Sequence, residues 1–153
     1  MDKFIKNGNF IISGKPFILP LQNTNKIKLP INYKLSPLQA RRLFEENNWH
    51  NIIGFHTRNI LHNAHKFIQL KALKNTNADA IFLSPVSGKK KIGDFTIETI
   101  IKTYEIAINN DIYKPFGTLI GAFNTFPRYA GPREAIFTAL CRKNYGCKFK
   151  TNS

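Results

Sequence analysis

Two histidines, His62 and His65, follow closely on Thr57, Arg58 and Asn59 in the string Phe55-His56-Thr57-Arg58-Asn59-Ile60-Leu61-His62-Asn63-Ala64-His65. On a helix their spacing puts both imidazoles on one face, a turn apart. A guanidinium, an amide, a hydroxyl and two imidazoles make a donor set of positive potential. No Asp or Glu lies within eight residues of Arg58 on either side. That chemistry suits a multiply charged anion such as phosphate or sulfate. The plain alternative is a pair of ordinary surface histidines, and it is the presence of Arg58 and Asn59 that favours the anion site.

The flanking residues supply the means of aiming these groups. Ile52-Ile53-Gly54-Phe55 is short, apolar and β-branched, and reads as a buried strand over about 51–56. An amphipathic helix is expected over about 60–74, with Phe67, Ile68, Leu70 and Leu73 on its inner face. A strand that passes through a polar turn into a helix directs unpaired N–H groups and the positive dipole end at one point, an arrangement that binds oxyanions.

Around this stretch the chain alternates strand and helix. Ser36-Pro37-Leu38-Gln39 has the capping hydroxyl, first-turn proline and third-position Gln of a helix start, and that helix should run to about Asn47, with Ala40, Leu43 and Phe44 inward. Asp79–Leu83 and Phe116–Phe123 read as strands. Ile97, Ile100, Ile101, Tyr104 and Ile108 recur at helical spacing as core. Pro132 and Gly146 bracket a last helix, and a fourth strand should begin at Cys147-Lys148-Phe149. Such alternation predicts an α/β fold with a parallel sheet and right-handed crossovers. Ligands of such sheets sit at the carboxyl ends of the strands. Thr57–His65, Pro85–Gly93 and Phe123–Arg133 all follow strands, so they should meet at one edge. Before them, residues 9–19 suggest a hairpin about a Ser-Gly-Lys-Pro turn, and residues 20–34 an extended linker.

Composition sets outer bounds. The 153 residues carry 23 Lys and Arg against 9 Asp and Glu, a formal net charge of +14. The field attracts anions of every kind, but the charges are spread along the chain and accompany no nucleic-acid-binding motif. Nucleic acid therefore has only the charge in its favour. No apolar run approaches a membrane span, and residues 1–20 lack a signal peptide's continuous apolar core. Cys141 and Cys147 form neither a disulfide framework nor a metal-ligand spacing. A cytoplasmic protein with reduced thiols is expected.

The string from Phe55 to His65 resembles the signature of ATP sulfurylases (sulfate adenylyltransferases), usually Gln-Thr-Arg-Asn-Pro-Leu-His-x-Ala-His. A second match is Arg128-Tyr129-Ala130-Gly131-Pro132-Arg133-Glu134-Ala135, continued by Arg142-Lys143-Asn144-Tyr145-Gly146-Cys147. A looser third runs from Pro85 to Asp94. The resemblance covers roughly residues 36–150.

It implies a Rossmann-like nucleotidyltransferase domain of the His-x-x-His type. Residues 36–153 would be part of the catalytic domain, and 1–35 a hairpin and linker left from an N-terminal β domain. It further implies transfer of AMP from ATP to sulfate, giving adenylyl sulfate and pyrophosphate, with magnesium accompanying ATP and no dedicated protein metal site. Arg58 would hold sulfate or neutralise it beside the α-phosphate, and Asn59 would contact an α-phosphate oxygen. Thr57 would fix the turn or donate to the same anion, and His62 and His65 would grip the β- and γ-phosphates. Gly131 and Arg133 would join the nucleotide pocket.

The sequence also departs from the pattern. His56 stands where the family has Gln, so sulfate affinity is expected to strengthen as His56 protonates near the ordinary imidazole pKa. Ile60 replaces a proline, and Asn63 replaces a commonly basic residue. A Gly-Arg-Asp-His element expected after the fourth strand would lie beyond Ser153, so a companion chain or homo-oligomer is expected to complete the sheet. A non-catalytic nucleotide- or phosphate-binding remnant, or an interaction module, is the other reading.

Overall fold

The computed structural model describes residues 14–15, 33–88, 93–125 and 130–151. Most of the hairpin expected over 9–19 and of the linker over 20–34 falls outside these, as do Lys89–Lys91 and Arg128. The described chain runs α1 (Pro37–Glu46), β1 (Ile52–Thr57), α2 (Asn63–Asn75), β2 (Ala80–Pro85), α3 (Ile97–Asn109), β3 (Gly117–Ile120), α4 (Pro132–Asn144) and β4 (Phe149–Thr151).

Local chemistry sets several of these boundaries. Ser36 caps α1 in a reciprocal capping box with Gln39, ahead of Pro37, so two otherwise orphaned N–H groups are satisfied. Thr96 caps α3 by accepting from the Thr99 N–H. Ahead of α4, Gly131 takes a left-handed φ of 56°, a conformation that costs other residues more. Behind it, Gly146 (φ 102°) turns the chain towards β4.

The four strands form one sheet in the order β3-β2-β1-β4, and all three pairings are parallel. The expected α/β class with a parallel sheet is what the structure has. From β1 the chain steps outward through β2 to β3, then returns to the other side of β1 for β4. β1 is therefore central and lies at the point where strand order reverses, the place at which such sheets bind ligands.

β1 is covered on both sides, and its side chains alternate between two cores. Ile53 and Phe55 pack with Leu73, Ile81, Leu83, Ile97, Ile100, Ile101 and Tyr104, under α2 and α3. Ile52 packs with Ala40, Phe44, Ala80, Phe82 and Cys147 under α1. The Ile stripe and Tyr104 of α3 are core, as expected.

α2 differs from expectation in two ways. It starts at Asn63, so His62 is its N-cap residue in extended conformation rather than part of the helix. Its buried face is His65, Gln69 and Leu73, while Phe67 and Ile68 point outward at 64% and 38% exposure. The inner face is specified by polar groups: the Tyr113 hydroxyl donates to Gln69 Oε1 at 2.7 Å, and Tyr104 lies against Gln69 and Thr57.

Trp49 fills the space beside Gly117, where a Cβ would collide with its indole ring. Gly117→Ala is therefore expected to overpack the second core and lower stability by about 1–3 kcal/mol. Urea unfolding followed by the fluorescence of Trp49, the single tryptophan, measures this. An unchanged midpoint would show that the ring gives way freely.

Candidate anion site at the end of the central strand

The turn after β1 is pinned by its own polar groups. Thr57, buried at the strand's last position, accepts the Asn59 N–H on Oγ1 at 3.0 Å. A little further on, the Leu61 N–H is anchored by Thr103 Oγ1 of α3 at 3.1 Å. Arg58 and Asn59 themselves are exposed. Thr57 thus has the turn-fixing role expected of it.

The three sequence blocks do meet at this edge. The Val86 N–H donates to the Thr57 carbonyl at 2.9 Å, and the Ser87 N–H to the Phe123 carbonyl at 3.0 Å. Val86 and Phe123 also form a parallel bridge. The Phe123 ring meets His56 edge-on, centroids 5.5 Å apart, and touches Phe137 of α4 at 6.4 Å. Through these two rings the start of α4, with Gly131 and Arg133, is tied to the end of β1.

His62 and His65 come together although only one of them is helical. Their rings stack at 3.8 Å, and His65 meets Phe55 edge-on at 5.3 Å. His62 makes no side-chain cap, so the first N–H groups of α2 keep their positive potential for something else. His65 is only 5% exposed. Burial and the neighbouring His62 ring hold its pKa below the ordinary imidazole value, against a hydrogen bond to the Ile60 main chain. Its Nδ1 is buried with no hydrogen-bond partner among the described residues, an arrangement that ordinarily costs about 1–3 kcal/mol. An anion would relieve it: protonated Nδ1 becomes a donor beside a negative charge.

His56 occupies the opposite face of β1. Burial and the nearby Arg142 guanidinium push its pKa down to about 4, outweighing a hydrogen bond to the Ser84 main chain and the Glu134 carboxylate. The expected strengthening of anion binding as His56 protonates near its ordinary pKa is therefore corrected. Across the neutral range the ring is uncharged, with a single N–H.

Arg142 is the residue that sequence reading passed over as a site group. It is 3% exposed on α4, and desolvation depresses its pKa. The signal for it lies in β1: a Cβ at Gly54 would stand 2.7 Å from Arg142 Cδ and 3.0 Å from Cys147 Sγ. The strand glycine gives a guanidinium stem room to lie across the sheet. Among the described residues no group of three or more His, Cys, Asp or Glu could hold a metal ion, and imidazole and guanidinium nitrogens do not suit Mg²⁺, which takes oxygen ligands.

The low pKa of His56 makes stability pH-dependent. In the unfolded chain the ring takes up its proton near 6.5, in the folded chain only near 4. The stability it confers is fully present above pH 6.5 and falls as pH drops towards 4, by up to about 3 kcal/mol. Urea midpoints between pH 4 and 7.5 should fall more steeply for the wild type than for His56→Gln. Parallel curves would show that His56 is not the group responsible.

The family model described as ATP-sulfurylase matches residues 31–150. A protein of Halothermothrix orenii named sulfate adenylyltransferase is 40% identical over 142 residues, covering 93% of this chain and 36% of that protein. Another so named, from Pyrococcus abyssi, is 38% identical over 94% of this chain and 36% of its own length. A third, from Trichodesmium erythraeum, is 46% identical over 75% and 29%. The chain thus spans about a third of the length of the curated relatives it matches. A solved structure, "Hexameric APS kinase from Thiobacillus denitrificans", shares the fold with a TM-score of 0.68 at 20% identity, over 80% of this chain and 24% of that one.

Proposed function

The chain belongs to the ATP-sulfurylase family, and from that premise we propose that its turn from Thr57 to His65 binds ATP and sulfate for adenylyl transfer. In this reading residues 36–153 belong to a Rossmann-like nucleotidyltransferase domain of the His-x-x-His type, and residues 1–35 to a hairpin and linker preceding it. The observation that carries the reading is the stacked His62–His65 pair. It stands at a helix start without a side-chain cap, beside a pinned turn that presents Arg58 and Asn59, and its His65 Nδ1 lacks a hydrogen-bond partner among the described residues.

Sulfate oxygen attacks the α-phosphorus of ATP; the new O–P bond forms as the bond to pyrophosphate breaks. Both reactants are anions, so positioning and fixed positive charge carry most of the catalysis. Arg58 neutralises sulfate against the α-phosphate, and Asn59 donates to an α-phosphate oxygen as charge builds there. His62 and His65 hold the β- and γ-phosphates, His65 taking up a proton as the anion arrives and raises its pKa. Gly131 and Arg133, at the start of α4, join the nucleotide pocket. Magnesium comes with ATP on the phosphate oxygens, and no step here is assigned to a protein-held metal. Among the described residues no helix is long and apolar enough to cross a membrane, and the free cysteines suit a cytoplasmic setting.

Calorimetry with ATP and magnesium at moderate salt should show saturable binding, weakened at least about tenfold in Arg58→Ala, the loss of a charge-assisted contact. Repeating it near pH 7 in buffers of different ionisation enthalpy should reveal proton uptake that His65→Gln abolishes. No binding, or binding indifferent to Arg58→Ala, would sink the reading.

Turnover is a separate matter, because the match spans about a third of each relative. Residues 1–153 alone are expected to release pyrophosphate from ATP and sulfate at least a hundredfold more slowly than a full-length relative, the loss typical of missing preorganised donors. A companion chain or a homo-oligomer would cover the open edge of the sheet. Brisk sulfate-dependent release from 1–153 would show that the turn carries far more of the catalysis. Binding without any sulfate-dependent release, even with a companion chain, would favour a nucleotide-binding module.

A further inference from the structure

Between the turn and α2 the chain has no regular structure. Ile60, Leu61 and His62 belong to neither β1 nor α2, yet they set how far Arg58 and Asn59 stand from the His62–His65 pair. Ile60 and Leu61 pack half-buried against the first core, and apolar contact of that kind has no preferred direction. A hydrogen bond does. The Leu61 N–H donates to Thr103 Oγ1 at 3.1 Å, and Thr103 Oγ1 donates in turn to the Ile100 carbonyl at 2.7 Å. With its proton committed along α3, the hydroxyl offers Leu61 a lone pair of fixed direction. α3 is anchored here by Ile100, Ile101 and Tyr104, all buried in the core.

We propose that Thr103 is a positioning residue of the anion site: by holding the Leu61 N–H it fixes the spacing between the Arg58–Asn59 turn and the His62–His65 pair. This rests on the reading of the turn as an anion site. Two hydroxyls then hold the segment in succession. Thr57, at the end of β1, takes the Asn59 N–H at 3.0 Å; Thr103, from the crossover helix, takes that of Leu61 two residues on. His62 follows at once in extended conformation (φ −139°, ψ 171°), and its ring stacks on His65 at 3.8 Å. In the proposed division of labour Arg58 and Asn59 meet sulfate and the α-phosphate, and the imidazoles meet the β- and γ-phosphates. A ligand that spans both halves gains from the second contact only if their spacing is right. One that fills a single half is indifferent to it. Thr103 therefore favours ATP over pyrophosphate without touching either.

The test compares Thr103→Val and Thr103→Ser in the 1–153 chain, with ATP and pyrophosphate, each with magnesium, as calorimetric probes at one pH and salt. Val keeps the branched shape without the hydroxyl, and Ser keeps the hydroxyl. In Thr103→Val, ATP affinity should fall about three- to tenfold, the net worth of one hydrogen bond, while pyrophosphate affinity stays within about twofold of the wild type. Thr103→Ser should restore ATP binding. Amide exchange followed by NMR should show Leu61 protected in the wild type and in Thr103→Ser, and at least about tenfold faster in Thr103→Val. Unchanged ATP affinity or unchanged Leu61 exchange in folded Thr103→Val would overturn the proposal. So would equal losses for the two probes, the mark of a merely structural role, or a loss in Thr103→Ser as large as that in Thr103→Val. Thr103→Ala, read the same way, takes the place of Val should Val prevent folding. Wild-type protein that binds neither probe would overturn the anion-site reading and the proposal with it, even where Leu61 exchange still follows the hydroxyl.

Discussion

Burial of β1 on both faces is the constraint from which the rest follows. A parallel strand at the middle of a sheet must satisfy two packing surfaces at once, and here those surfaces have different chemistry. One side receives Ile53, Phe55 and Thr57, backed by α2 and α3; the other receives Ile52, Gly54 and His56. Since adjacent residues go to opposite sides, a one-residue slip in register would exchange these sets. Arg142 would then meet Phe55 or Ile53 where it now passes Gly54. The pairing of β1 with β2 from Ile52 to Thr57 thus fixes the core and the site geometry together.

Much of this was legible in the sequence, and the failures have identifiable causes. The helix start at Ser36 rests on local hydrogen bonds, and the α3 stripe on simple apolar periodicity. The convergence of three blocks follows from strand–helix alternation alone. The inner face of α2 was not legible, because apolar Phe67 and Ile68 suggested one orientation while Gln69, held by the Tyr113 hydroxyl, determines another. Arg142 was missed for a related reason: a lone Arg in a helix next to Lys143 looks like solvated surface. Only Gly54, an unexplained glycine inside a strand, pointed to a close approach. It could say that something lay there, but not that the visitor was charged.

The electrostatics separate the formal charge from the charge that acts. A net of +14 raises the local concentration of any anion, yet most of it is exposed Lys and Arg, screened by salt beyond a Debye length. At the end of β1 the imidazoles contribute little permanent charge. His56 is neutral through the physiological range, and His65 is disfavoured as a cation by burial and by its stacked neighbour. In the proposed site the permanent positive charge is that of Arg58 at the turn, with the start of α2 adding its dipole. Arg58 can reorganise towards a ligand from its exposed position.

The orientation of α4 fits the same logic. Turning Ile136, Phe137 and Leu140 inward would gain roughly 1.5–3 kcal/mol for each side chain buried, and the helix forgoes that. It places Thr138 and Arg142, with half-buried Glu134, on its inner side instead. In the proposed site, polar groups on this side of α4 would line the crevice beside the end of β1. Gly131 allows the sharp entry at φ 56°, and the Phe123–Phe137 contact ties the first turns down.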